Sequence, residues 1–565
     1  MSLLGRQWRT RGRVPEDVFA AEGYSPLLRH LLWHRQLRSP AEISAFLFDT
    51  PFPSYDPLLL PQMEAAVQRI RQALRAGETI AVFGDFDVDG VTASVVLTEG
   101  LRDLGANVFA YIPHRFTEGY GLSLAAIEAL RLRGACLIIT ADCGTSSIAE
   151  IDHARGLGID VVVLDHHTVP EELPAAIATV NPKRVDCLYP EAELASVGLA
   201  LKLLCALYEA EGRPLDEQRY LDLVALGTVA DMAPLLGENR WLVRQGLQTL
   251  RRTQRPGLRA LMEVAGVEIE RADTETIGFQ LGPRLNAAGR LAHAQLSFEL
   301  LTCTDEAEAL LRAAELGALN QERQRLTAEA MTLLRELLAG ETEAPLLFVG
   351  HTDVSSGIVG LVAGRLAEQY HRPTIVYELG ENESRGSARS IIEFDITSAM
   401  RRNAELFIRF GGHRQAAGFT ATNEALPRIK EALLETAAHE LAEVDLTPTL
   451  EIDAAFPLRH LRGEEIKSLV RLQPFGQGNP EPLFLSRAVT VAEARPVGED
   501  GAHLRMKLRD GRVTWPAIGF GLGETGELAE GQAMDVVYSL SSDRNSEGGL
   551  QLVVRDLAPA TGAQS

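Results

Sequence analysis

Between residues 78 and 235 the chain alternates two kinds of apolar pattern. Short continuous runs rich in β-branched residues, ETIAVF (78–83), NVFAYIP (107–113), ACLIITAD (135–142) and DVVVLD (160–165), predict buried strands. Between them VTASVVLTEGLRDLG (91–105), LSLAAIEALRLRG (122–134) and SIAEIDHARGLG (147–158) predict helices. Strands spaced by helical periods make a parallel sheet with helices on both faces, an arrangement whose ligands sit at the carboxyl ends of the strands. VGLALKLLCALYEA (197–210) and QRYLDLVALGTVAD (218–231) continue as helices, and residues 304–340 predict one long connecting helix.

A second α/β set follows, with the strand APLLFVG (344–350), the helix GIVGLVAGRLAEQY (357–370) and the strand PTIVYEL (373–379). From about 448 to 560 the period changes to short alternating strands separated by glycine-rich turns, such as HLRMKLRD (503–510), MDVVYSL (534–540) and LQLVVRDL (550–557). That pattern predicts a small β-barrel. Residues 1 to about 75 read as helical and polar, with breaks at Pro40 and through PFPSYDP (51–57). No internal repeat interrupts this order. The expected divisions are an N-terminal helical segment at 1–75 packing on the first α/β domain, that domain at 76–300, the connector at 301–342, the second α/β domain at 343–442 and the barrel at 443–565.

Composition narrows the class. At 565 residues the chain exceeds one hydrophobic core, and 46% apolar with 23% charged residues fits a globular protein. No apolar run is long enough to cross a bilayer, and the N-terminus has no hydrophobic signal segment. Cys136, Cys143, Cys187, Cys205 and Cys303 form no CxxC pair and are odd in number, which predicts reduced thiols and a cytoplasmic protein. A net charge of −22 taken alone argues against a nucleic-acid partner. Two things offset it. The cations are mostly Arg, suited to bidentate phosphate binding, and a metal cluster neutralises carboxylates and phosphates at one place.

Chemistry collects at the predicted strand ends. The first strand runs into Asp85-Phe-Asp87-Val-Asp89-Gly90, the third into Asp142, the fourth into Asp165-His166-His167, and a helix ends at Asp231. Each has an ordinary explanation: a cap for Asp142, a loop histidine for His166, an ion pair with Arg240 for Asp231. The string DxDxDG also matches a calcium loop, but the bidentate Glu that such a loop needs six residues later is replaced by Val96. Together the residues point elsewhere. Carboxylates share a small volume only if cations neutralise them, and carboxylates plus imidazole without thiolate suit Mn²⁺ or Mg²⁺.

DFDVDG, TADCG, LDHH and LVALGTVAD resemble, in order, the four motifs of the DHH phosphoesterase superfamily. YIPHRFTEGYGL (111–122), LGPRLNAAGRL (281–291), GSARSI (386–391), FGGHRQAAGF (410–419) and LQPFGQGNPEPLF (472–484) extend the resemblance to the bacterial RecJ family of single-strand-specific 5′→3′ exonucleases, from about residue 45 to 555. The resemblance implies a DHH catalytic domain, a smaller DHHA1 domain holding Gly411-Gly412-His413, and an OB-fold barrel. It implies two Mn²⁺ ions, with Mg²⁺ as the alternative, held by Asp87, Asp89, Asp142, His166 and Asp231, with Asp85 as a further ligand or neighbour. His167 then faces the scissile phosphate, and the catalytic set is Asp87, Asp89, Asp142, His166, His167 and Asp231. Arg115, Arg284, Asn286, Ser387, Arg389 and His413 become phosphate-binding candidates, with a structural brace as the other reading of Arg115 and Arg284.

In the barrel, Arg505, Lys507 and Arg509 alternate on one strand and so share a face, with Trp515, Phe520 and Tyr538 as stacking candidates or core residues. The implied partner is single-stranded DNA with a 5′ end, in repair and recombination, delivered by a single-strand-binding protein or a RecQ-type helicase. A DHH phosphatase or nanoRNase acting on very short oligonucleotides or cyclic dinucleotides is the alternative. HTDVSSGIVG (351–360) and ASVG (195–198) depart from the family pattern without touching a candidate ligand.

Overall fold

A computed structural model describes residues 2–15, 18–19, 23–48, 55–498, 501–523, 528–542 and 549–560. Most of the break expected at PFPSYDP, residues 51–54, lies outside them. The chain forms two compact units, Pro53–Val444 with Gly476–Gly478, and Met1–Phe52 with Asp445–Phe475 and Asn479–Ser565.

The first unit is built on a five-stranded parallel sheet in the order Asn107–Tyr111, Thr79–Gly84, Ala135–Ala141, Asp160–Leu164, Ala178–Val180. Successive side chains of a strand face opposite layers. Ile80, Val82, Leu137 and Ile139 enter one core with the helices Val88–Asp103, Ser196–Ala210 and Leu221–Ala230, while Ala81, Phe83, Ile138 and Val163 enter the other with the helix Leu124–Leu132. Both faces are covered, which is why these strands read as unbroken apolar runs. The chain leaves the Thr79–Gly84 strand first toward one edge and then toward the other. The crevice that this reversal opens lies at the carboxyl ends of Thr79–Gly84 and Ala135–Ala141.

The connector is one helix, Glu306–Leu337, capped by Asp305, whose side chain accepts the amide of Glu308. It leads to a mixed sheet in the order Arg409–His413, Ala416–Thr422, Glu383–Arg389, Thr374–Glu378, Leu347–His351, in which only the last pair is parallel. The helix Val359–Tyr370 packs on this sheet.

In the second unit the strands Phe484–Val497, His503–Asp510, Val513–Gly519, Leu550–Pro559 and Ala533–Ser542 close into a barrel, because the first also pairs with the last. Phe484–Val497 serves both neighbours through a bulge between Ser486 and Val489, with Ala488 at φ +52°. Phe484, Val491, Leu508, Val536 and Tyr538 fill the barrel.

One expectation is corrected here. Residues 1–75 do not form one segment packed on the first α/β domain. Helices Pro26–His34 and Pro40–Leu47 place Leu27, Leu28, Leu31, Leu32, Ile43 and Phe46 in the barrel's own core, and the strand Gln7–Thr10 pairs in parallel with Thr449–Ile452. The segment before residue 76 that joins the first unit does so through Leu60 and, in the helix Met63–Ala76, Met63, Val67 and Ile70. An apolar stripe specifies that it must be covered, not by which domain.

Candidate metal and phosphate site

Each acidic strand end continues the sheet by one more hydrogen bond. Asp85 N–H donates to the Ala141 carbonyl (3.1 Å), Asp142 N–H to Leu164 (3.1 Å) and Asp165 N–H to Val180 (3.2 Å), so three carboxylates project from adjacent strands at the crevice. Asp142 holds φ +71°, a left-handed conformation costly for a residue with a side chain and typical of functional sites.

Asp87 caps the next helix, its Oδ1 accepting the amides of Asp89 (3.0 Å) and Gly90 (3.1 Å). That helix starts at Val88, earlier than the apolar pattern predicts, so Asp89 lies in its first turn. Asp89 in turn accepts the amides of Ser196 (2.7 Å) and Val197 (2.9 Å), which open the helix Ser196–Ala210. Gly90 also lies within the helix that Asp87 caps. A Cβ there would lie 2.6 Å from the Asp85 backbone nitrogen, so its role is to let the helix approach the strand end.

These elements bring Asp89, Asp142, His166 and Asp231 together. His166 Nε2 lies 3.2 Å from Asp142 Oδ1, 3.8 Å from Asp231 Oδ2 and 3.9 Å from Asp89 Oδ2. Asp85, Asp87 and Asp142 offer carboxylate oxygens within 4.8 Å of one another, and one oxygen of Asp142 and a ring nitrogen each of His166 and His167 lie within the same distance. Burial, then the Asp87 charge, pushes Asp89 up to about 7 and holds Asp85 and Asp142 well above the usual carboxylate range. Burial, then Asp89 and Asp87, pushes Asp231 up to about 8. Burial and the neighbouring His167 charge lower His166 to about 3, leaving a neutral ring with a free lone pair.

Two buried polar atoms here have no hydrogen-bond partner, His166 Nε2 and Asp85 Oδ1. Such atoms are costly unless something satisfies them. Carboxylate oxygens and an imidazole nitrogen crowded together, two of these atoms without a protein partner, fit a hard divalent cation.

His167 differs from its neighbour. Burial opposes its charged form, but its Nδ1 bond to Asp165 Oδ1 (2.7 Å) and the surrounding carboxylates outweigh this and raise it to about 9. Asp165 is buried too, yet the bonds from His167 and Thr145 lower it to about 2. Sequence reasoning assigns Asp165 no role. Its signal is its place before the two histidines, and the geometry makes it the residue that orients them, since it also accepts both their amides. The ASVG turn, expected to leave the candidate ligands untouched, does touch them: beside the two amides on Asp89, the Ser196 hydroxyl donates to Asp142 Oδ1 (2.9 Å), a contact across 54 residues that no local pattern shows. Tyr120 OH, donating to the Asp142 carbonyl at 3.2 Å and equally near His167 Nδ1, lies in the quoted TEGYGL run.

The phosphate candidates separate. Arg115 stacks over the Phe86 ring at 4.9 Å, and Arg389 donates to Ser387 Oγ at 2.8 Å. A Cβ on Gly360 would lie 3.1 Å from the Arg389 guanidinium and 3.2 Å from Ser387 Oγ, which places the start of the Val359–Tyr370 helix against this pair. The arginine that joins them is Arg290, absent from the expected set. Burial first, then the charges of Arg115, Arg323 and Arg389, lowers it to about 9, and it approaches the Gly357 carbonyl at 3.4 Å. Arg284 instead donates to the Gln280 carbonyl (2.7 Å), and Asn286 is half-buried on the same helix, Gly282–Leu291. His413 is exposed at the end of its strand, its pKa lowered by burial and by the His167 charge.

In the barrel unit Arg505, Lys507 and Arg509 are exposed on one face, with Lys507 paired to Glu493 (2.6 Å). Trp515 is half-buried against the core, Tyr538 is fully buried with its hydroxyl on the Phe456 carbonyl, and Phe520 is 60% exposed.

Three families match in chain order: the DHH family, N-terminal domain, over residues 79–228, the DHHA1 domain over 343–439 and the RecJ OB domain over 452–556. Proteins named single-stranded-DNA-specific exonuclease RecJ are similar over nearly the full chain. That of Bacillus subtilis (strain 168) is 38% identical over 94% of this chain and 68% of its own, and that of Escherichia coli (strain K12) is 36% identical over 97% and 98%. The crystal structure of RecJ in complex with Mn²⁺ from Thermus thermophilus matches with a TM-score of 0.82 at 32% identity, covering 98% of this chain and 80% of that one. The Mg²⁺ complex from the same organism matches at 0.76 and 31%, covering 98% and 79%.

Proposed function

This chain belongs to the RecJ exonuclease family, and on that premise we propose that it is a divalent-metal-dependent hydrolase that degrades single-stranded DNA from a 5′ end and releases mononucleotides. The observation that carries this reading is the unpartnered His166 Nε2 set among Asp89, Asp142 and Asp231. Asp87, Asp89, Asp142, His166 and Asp231 would hold two Mn²⁺ or Mg²⁺ ions, with Asp85 as a further ligand or beside them. Cations of this class supply positive charge at a scissile phosphate and make water a competent nucleophile at neutral pH.

The protein's own residues then do three things. Asp165 fixes the His167 ring through Nδ1 and keeps it protonated, so that His167 donates a charged hydrogen bond to a phosphoryl oxygen. Ser196 and the amides of Ser196 and Val197 hold Asp142 and Asp89 in place. Arg115, Ser387 and Arg389, with Arg290 beside them, grip a terminal 5′-phosphate, which gives polarity. His413, Arg284 and Asn286 are further candidates for the strand's phosphates.

Arg505, Lys507 and Arg509 on the barrel would follow the backbone of a longer strand, with Trp515 or the exposed Phe520 as a stacking surface. A barrel matched by the RecJ OB domain favours a polymer substrate over the short oligonucleotides or cyclic dinucleotides of the alternative. Repair and recombination in the cytoplasm, with substrate delivered by a single-strand-binding protein or a RecQ-type helicase, is the setting this activity suits.

The test is cleavage of 5′-labelled and 3′-labelled single strands and duplexes with Mn²⁺, Mg²⁺ or a chelator. Mononucleotide release from the 5′ label of single strands only, abolished by chelator, is expected. Full Mn²⁺-dependent activity in Asp142→Ala would overturn the assignment.

A further inference from the structure

Phe86 stands between Asp85 and Asp87, and Tyr120 between two glycines in the left-handed conformation, Gly119 (φ +85°) and Gly121 (φ +78°). Together the two rings join the places where the strand's phosphates are held. The Arg115 guanidinium lies 4.9 Å over the centre of the Phe86 ring. Phe86 meets Tyr120 edge to face, with ring centres 6.4 Å apart at 78°, and Tyr120 meets His167 in the same way at 5.7 Å and 68°. The rings differ in freedom. Phe86 is half-buried under Arg115 and against the helix Gly282–Leu291, where a Cβ on Gly289 would lie 2.7 Å from the Phe86 carbonyl oxygen. Tyr120 is 53% exposed although its hydroxyl is tied down, donating to the Asp142 carbonyl at 3.2 Å.

On the exonuclease reading Arg115 grips the terminal 5′-phosphate and His167 contacts the scissile one. What joins those two phosphates is the sugar of the first nucleotide, whose base can turn to either side. The side chain that bridges the two phosphate-binding residues therefore faces that sugar, and of the two rings Tyr120 is the exposed one. Its surface has nothing to offer a hydroxyl. The phenol donates to the Asp142 carbonyl, His167 Nδ1 is bonded to Asp165, and the Arg115 fork is taken by the phosphate. A deoxyribose lays its C2′ hydrogens against the ring without loss. A ribose strips water from its 2′-hydroxyl there and finds no partner in exchange.

We propose that Tyr120, braced by Phe86, faces the sugar of the 5′-terminal nucleotide and makes the enzyme select deoxyribose over ribose at that position. This role rests on the exonuclease reading above, and the test separates the two.

Full-length protein with Mn²⁺ is given 5′-phosphorylated single strands that are identical except for deoxyribose or ribose in the first nucleotide. An apolar surface rejects an added hydroxyl by about 100-fold at best, so wild-type kcat/KM should be about 10–100-fold lower on the ribose-ended strand. Tyr120→Ala should bring the two values close together. Tyr120→Phe should slow both strands alike, because only the bond to the Asp142 carbonyl is lost, and should keep the wild-type ratio. A residue that merely shapes the site lowers both values and leaves their ratio unmoved, so an unchanged ratio in Tyr120→Ala overturns the assignment. A wild-type ratio near one does the same. Loss of the ratio in Tyr120→Phe would show that the hydroxyl selects the sugar, and overturns the role of the ring. Should Tyr120→Ala turn over too slowly to measure, the dissociation constants of the two strands in chelator, for wild type and variant, give the ratio instead. Failure of the wild-type protein to cleave the deoxyribose-ended strand would overturn the exonuclease reading rather than the role of Tyr120.

Discussion

Asp165 Oδ1 lies 2.7 Å from His167 Nδ1 and also accepts the backbone amides of His166 and His167, so one buried carboxylate oxygen sets both the ring and the peptide of the double histidine. The two imidazoles end in opposite states, His166 neutral and His167 charged, although they are neighbours in the chain. Asp165 is the reason for the difference.

Replacing Asp165 with Asn keeps the volume but removes the charge. Residues that orient a metal ligand from behind typically contribute about 10–100-fold to metal affinity or activity. Asp165→Asn should therefore lose about 10–100-fold in kcat on a 5′-phosphorylated single strand and weaken Mn²⁺ binding, while its circular dichroism spectrum stays native. Wild-type activity in this variant would remove Asp165 from the site.

The carboxylate cluster predicts how stability depends on pH and metal. Asp89 and Asp231 have folded pKa values of about 7 and 8, above the ordinary value near 4 of an unfolded chain. A raised carboxylate contributes stability below its unfolded pKa and loses it as pH climbs through the folded value. Metal-free protein should lose stability from this cluster between about pH 4 and pH 8. The rise in Tm on adding Mn²⁺ should grow over the same interval, because a cation relieves the repulsion that deprotonation creates. Thermal unfolding with Mn²⁺ or chelator at about pH 5, 6, 7 and 8 measures this, and a metal-induced shift that shrinks with pH would contradict it.

Gly90→Ala should be destabilising out of proportion to one methyl group. The added Cβ would meet three Asp85 atoms, N, Cβ and Cα, at 2.6–2.8 Å, two of them backbone. Overpacking of this kind costs about 1–3 kcal/mol. The displaced Asp85 should also weaken Mn²⁺ affinity. A lowered unfolding midpoint accompanied by weaker Mn²⁺ stabilisation is expected, and an unchanged midpoint would show that the helix can retreat from the strand end.

On the barrel, changing Arg505, Lys507 and Arg509 together to Ala should weaken binding of strands long enough to reach it. Each phosphate contact on a single strand contributes about 0.7 to the slope of log affinity against log salt. Lys507 is already paired with Glu493, so the slope should fall by about 1.4, from two contacts rather than three. Cleavage of a strand of a few nucleotides should stay unchanged. Equal losses on short and long strands would place these residues outside the binding surface.

The one-dimensional pattern carried much of this protein. Apolar runs of period suited to strands, separated by helical stretches, determined the parallel sheet, and the residues terminating those runs determined that Asp85, Asp142 and Asp165 emerge on one edge. Backbone hydrogen bonding makes that inference local: a strand end is where the side chains leave the sheet.

Other features were decided only by tertiary structure. Ser196 reaches Asp142, and Arg290 reaches the Gly357 carbonyl, because helices pack at angles and registers that no local period encodes. The helices Pro26–His34 and Pro40–Leu47 joined the barrel at the far end of the chain, since an apolar stripe records the need for a cover without naming it. Gly90 shows the same division at one residue. The apolar pattern starts the helix only at Val91, whereas the close approach of that helix to the strand end makes the missing side chain of Gly90 necessary.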